Sequence, residues 1–162
     1  MLVIDCDASE SAYRWLAALD LPGVELAVAR SAKALRSLLS TTVTPLVLID
    51  TPPLYESQAL VQAAVQAADV ALTPLLPSPA DVDRLPLAKA VAEEEGTVWR
   101  PVVSQERAWT KAGRELRPAL REAGMEPLND GVPFREAVRT AWGSEAPDPE
   151  GMKWIWQELS GK

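Results

Sequence analysis

"LVLIDTPP", residues 46–53, decides the fold. Leu46, Val47, Leu48 and Ile49 are apolar without alternation, the pattern of a strand covered on both faces, as in a parallel sheet. Asp50 follows where that strand emerges at its carboxyl end, the edge at which open α/β sheets bind ligands. Thr51, Pro52 and Pro53 forbid a direct run into a helix, because a residue before proline is pushed out of the helical region. An acid is therefore presented at a sheet edge on a stiffened turn.

The same grammar extends in both directions. Residues 2–4 read as a short buried strand ending in Asp5-Cys6-Asp7, and Ser9 or Ser11 is the expected cap of a helix that turns Tyr13, Leu16 and Ala17 inward. Pro22-Gly23 breaks it. Residues 24–28 read as a strand, 32–39 as a short helix and 57–68 as an alanine-rich helix. Residues 70–72 form the next strand, which Pro74 is expected to end. Residues 81–95 are helical, beginning late or kinked at Pro86. Residues 99–103 are a strand, and 105–123 a helix striped by Trp109, Ala112, Leu116, Leu120 and Ala123 and closed by Gly124. A short helix over 134–142, a Pro-, Asp- and Glu-rich loop over 145–151 and a C-terminal helix over 152–160 complete the reading. Strands alternating with helices predict an α/β fold: a mostly parallel sheet with helices on both faces.

Length and composition narrow the classes. The 162 residues predict one domain large enough to bury a core, with an ordinary 48% hydrophobic and 24% charged residues. No apolar stretch reaches the roughly 18 residues of a membrane span and no signal peptide opens the chain, so a cytoplasmic protein with no membrane partner is expected. The single Cys6 excludes an internal disulfide. There is no histidine, which excludes His-based zinc sites and Ser–His or Cys–His catalytic pairs. The net charge of −7 opposes nucleic-acid binding, with one local exception around Arg100, Arg107, Lys111, Arg114, Arg117 and Arg121. A solvated helix face is the simpler explanation of those cations.

Asp5, Asp7 and Asp50 all fall at expected strand carboxyl ends. Carboxylates gathered on one edge repel unless a cation or positive group joins them, and hard oxygen ligands favour magnesium. The alternative is structural: such acids cap helices or accept turn N–H groups.

Three segments, "LVIDCDASESAYRWL", "LVLIDTPP" and "AADVALTPLLPSPADVDRL", occur in an order that resembles the ParA family of partition ATPases, P-loop NTPases with a deviant Walker A motif. The resemblance runs from residue 2 to about residue 143, and "PLNDGVPFREA" at 127–137 is similar to the family's late segment that closes over the nucleotide. It implies a SIMIBI, ParA-like P-loop NTPase fold without its first β-strand and P-loop. By that resemblance Asp7 lies in the switch that orients the attacking water, and Asp5 precedes it near the phosphates. Asp50 becomes the Walker B acid holding magnesium, followed by Thr51 and Pro52. Pro77, Ser78 and Pro79 match the loop after the next strand, and Ser104 a polar position near the base. Arg107, Lys111, Arg114, Arg117 and Arg121 become the candidate surface for non-specific DNA.

The glycine-rich loop that neutralises the triphosphate is not among these residues: no G-x-x-x-x-G-K-[ST] occurs, and the first glycine is Gly23. Three accounts follow. In the first, a P-loop-less ParA-like chain acts through protein–protein contacts in plasmid or chromosome partition, with itself, a ParA-like subunit or an adaptor as partner, and does not hydrolyse ATP alone. In the second, an N-terminally truncated partition ATPase would in full bind ATP and Mg2+, dimerise and bind DNA. In the third, a receiver-like signalling domain carries Asp50 as phosphoacceptor. The missing strand is also expected to leave raw sheet edges that invite a second chain.

Overall fold

The computed structural model describes residues 1–107, 109–136, 140, 141 and 150–160, and the chain divides into two compact units, Met1–Ala68 and, beginning at Asp69, the remainder of the described chain. The fold is α/β with parallel strands, as the sequence predicts.

The first unit holds β1 (Leu2–Asp5), α1 (Ser11–Leu19), β2 (Glu25–Val28), α2 (Ala32–Thr41), β3 (Val47–Asp50) and α3 (Gln58–Ala67). Its sheet has the order β2-β1-β3, all parallel, with Asp5 level with Val28 on one side and Asp50 on the other. Leu2, Ile4 and Cys6 point to one face, where they join Ala29, Leu35, Leu60, Ala63 and Ala64 in a core closed by α2 and α3. Val47 and Ile49 share that face. The opposite face, bearing Val3 and Asp5, is covered by α1, which packs on β1 and β2. Leu48 lies level with Val3 in the register and stays 46% exposed, so β3 is not the fully covered strand its apolar run predicts.

The second unit holds β4 (Val70–Leu75), α4 (Pro79–Val82), α5 (Leu85–Glu95), β5 (Val98–Val103), α6 (Lys111–Glu122) and α7 (Glu150–Ser160). β4 and β5 pair in parallel, and Trp99 Nε1 donates to Thr73 Oγ1 at 2.8 Å across the pair. Leu75 and Val103 pack with Leu85, Leu116 and Leu120 on one face, while Val102 meets Leu128, Ile155 and Leu159 on the other.

Pro74 does not end β4. Ser104 N–H donates to the Leu75 carbonyl, so by strand alternation odd-numbered residues of β4 face β5 and Pro74 faces away, where a missing N–H costs no ladder bond. Pro101 of β5 is placed by the same logic. Pro86 falls in the first turn of α5, so that helix does begin late. The helix expected from residue 105 begins only after Thr110, whose hydroxyl accepts the Gly113 N–H at 3.1 Å. Gln105 has φ of 53°, and Glu106 N–H donates to the Val132 carbonyl, which draws this segment into a bridge instead. Consequently Trp109 is 70% exposed and Gly113, not Ala112, is buried. The Gly124 stop is as expected, with φ of 70°. The expected helix over 134–142 and the acidic loop lie largely outside the described residues. Among those residues, no helix is long and apolar enough to cross a membrane.

Candidate functional site

The carboxyl edge of the β2-β1-β3 sheet gathers Asp5, Asp7 and Asp50. Asp5 is fully buried. Its Oδ1 accepts the Asp7 N–H and its Oδ2 the Tyr13 N–H, each at 2.9 Å. The second bond explains the burial. Glu10, which precedes α1, is left-handed with φ of 51° and makes no side-chain cap, so the first turn of the helix has orphan N–H groups. Asp5 reaches up from the strand and satisfies one of them. Neither expected serine does: the hydroxyls of Ser9 and Ser11 bond each other at 2.9 Å.

Asp7 accepts the Ser9 N–H at 2.7 Å, and that bond, with help from the Ser9 side chain and Arg30, lowers its pKa. Asp50 is the acid with an exposed side chain, while its carbonyl is held by the Cys6 N–H at 2.8 Å. Its carboxylate still loses part of its water above the sheet end, and this, with the negative charges of Asp5 and Asp7, raises its pKa. Cys6 feels the same field from within: burial first, then Asp5 and Asp50, push its thiol up to about 11.

Two described cations reach this edge: Arg14 donates to the Ser9 carbonyl at 2.8 Å, and Arg30 lies beside Asp7. The Arg30 guanidinium donates to the Asp7 carbonyl and pairs with the Glu10 carboxylate. Sequence reading passed over Arg30, although its signal was available: it stands at the carboxyl end of β2, level with the same edge, where the Ala29 N–H bonds the Asp5 carbonyl at 3.0 Å.

Thr51 is half-buried and Pro52 buried beside Asp50. Pro77 and Ser104 belong to the second unit, at the carboxyl ends of β4 and β5. There Ser78 caps α4 by accepting the Asp81 N–H at 3.3 Å, and Asp81 Oδ2 accepts the Leu76 N–H at 2.8 Å.

The cations near α6 are largely engaged within the fold. Arg117 makes a two-pronged pair with Glu106, the two side chains being 15% and 16% exposed, and donates to the Leu128 carbonyl at 3.1 Å. Arg121 bonds Glu126 and Asn129, and Arg114 bonds the Trp109 carbonyl. Arg107 stacks on Phe134, 3.9 Å from the ring centre. Lys111 stands 3.9 Å from Glu115 and is open to solvent.

The donor set does not by itself suit a magnesium–nucleotide. Both Asp5 oxygens accept backbone N–H groups, and the Arg30 guanidinium is spent on Asp7 and Glu10. Asp50 and the second oxygen of Asp7 remain as hard ligands, and magnesium held by two carboxylates at most needs phosphates fixed by other groups. Among the described residues no set of three Asp, Glu, Cys or His side chains is gathered closely enough to hold a metal ion. Compared with protein-family models and with curated proteins, the chain matches none.

Proposed function

We propose that the chain is a ParA-like protein-binding module associated with plasmid or chromosome partition that does not hydrolyse ATP on its own. The observation that carries the reading is the division of labour among the acids. Asp5 is a buried cap, Asp7 closes the turn onto Ser9 and Asp50 is exposed on its stiff turn, while these residues include no glycine-rich phosphate loop. Among the described residues, a triphosphate brought to this edge meets carboxylates without a glycine-rich cradle of N–H groups or lysine charge. The order of the three ParA-like segments supports the kinship, and the β2-β1-β3 order is compatible with it. A truncated ATPase remains the competing account. The test is isothermal titration of ATP with Mg2+ into the chain, with Asp50→Ala as control. The expected result is no saturable heat. Saturable binding that the substitution abolishes would overturn the proposal in favour of a nucleotide site.

The juxtaposition of Asp5, Asp7 and Asp50 also favours a second reading, a receiver-like domain phosphorylated on Asp50. Such a domain needs a lysine at the end of a later strand, and residues 99–105 offer none, which weighs against it.

A further inference from the structure

The strand rims are protected unequally. On β5, the Leu128 N–H donates to the Pro101 carbonyl at 3.0 Å and the Val132 N–H to the Val103 carbonyl at 2.8 Å, so residues 128–132 cover its outer edge. On β4, Pro74 faces outward and removes an N–H. On β2, exposed Glu25 opens the strand and Arg30 follows it. β3 has Pro45 before it and exposed Asp50 at its end, but among the described residues of the first unit it pairs only with β1, and the stretch from Leu46 to Ile49 carries neither charge nor proline. Val43, three residues before this stretch, is 97% exposed.

The hydrogen-bond register shows which groups are available. Leu2 N–H donates to the Leu46 carbonyl and Cys6 N–H to the Asp50 carbonyl, so residues 46, 48 and 50 turn their peptide groups to β1. Val47 and Ile49 turn theirs the other way. An apolar rim with no strand partner among the described residues is a template for another strand. It ends at exposed Asp50, whose charge Asp5 and Asp7 oppose. A second copy of a chain with net charge −7 is a poor occupant on electrostatic grounds.

We infer that the free edge of β3 is a strand-addition site for a partner protein's extended apolar segment that runs parallel to β3 and is followed by lysine or arginine reaching Asp50. Backbone pairing to Val47 and Ile49 supplies affinity, Leu48 an apolar contact, and Asp50 the preference for a cation. The inference rests on the reading of the chain as a protein-binding module and names the kind of partner.

The probe is a fluorescein-labelled synthetic peptide, Thr-Val-Ile-Val-Val-Asn-Lys-Lys, followed by anisotropy and by amide hydrogen exchange. Saturable binding is expected, with the Val47 and Ile49 amides slowed about tenfold or more on binding. Replacing both lysines of the peptide by glutamate should weaken binding about tenfold, as should Asp50→Asn by a smaller factor. Ile49→Pro removes an outward N–H without taking a bond from β1, and a folded Ile49→Pro should lose binding. Should that variant not fold, the amide protection and the lysine-to-glutamate peptide decide. Three outcomes overturn the proposal: no saturation up to about 1 mM peptide, binding that leaves the Val47 and Ile49 amides unprotected, or amides already protected in the free chain. Failure here leaves the ATP titration unaffected, whereas ATP binding would defeat the functional proposal without touching the β3 edge.

Discussion

Asp5 illustrates how one carboxylate joins a strand to a helix. Its two oxygens close the turn at Asp7 and the first turn of α1 at Tyr13 with no water in between. Asp5→Ala leaves two N–H groups without acceptors and should cost about 1–3 kcal/mol, read as a lower urea midpoint with an unchanged slope. Asp50 has the opposite character. Its pKa is raised in the folded state, so its ionised form opposes folding, and that penalty disappears as the pH falls through the raised value to the ordinary one near about 3.9. Asp50→Asn should therefore raise the thermal midpoint at pH 7, and the difference should shrink toward zero at about pH 4. An equal gain at both pH values would show that charge is not the cause. Sequence reading found all three acids and their shared edge. It assigned Asp5 no single role, because capping of an uncapped helix by a residue eight positions earlier depends on the left-handed turn at Glu10, which no local preference for glutamate announces.

At the scale of elements, residues 127–134 act as a strap along β5. Buried Pro127 and Leu128, the bonds to Pro101 and Val103, and the Arg117–Glu106 pair hold it in place. Gly131 fits because a Cβ there would run into the Val103 carbonyl and the Arg117 guanidinium. Arg117→Ala strands Glu106 in a mostly buried position and should cost about 3 kcal/mol. Urea unfolding checks it, and Glu106→Gln added to Arg117→Ala should recover part of the loss. A periodic reading could not foresee this strap, since it has neither period two nor period 3.6. The same blindness shifted the start of α6: the basic spacing that suggests a solvated face conceals Arg117, which turns inward to Glu106. Strands and most helices were legible because their apolar runs and stops are local. Pro74 was misread because whether a proline ends a strand depends on which side its missing N–H faces, a property of pairing.

For the whole molecule, the distribution of charge bears on partners more than its sum. Arg114, Arg117 and Arg121 are tied to backbone or acidic groups, so little of the basic cluster is free to neutralise phosphates, and the overall charge of −7 adds repulsion. The outward-facing prolines of β4 and β5 have a further consequence for how the protein ages in solution. A growing cross-β aggregate recruits strands through unbroken rows of N–H groups, and the β4–β5 ribbon lacks one on each strand. The stretch from Leu46 to Ile49 carries neither charge nor proline, so any fibril this chain forms should be seeded there, and the sheet with the acidic edge would be the first part of the protein lost to it.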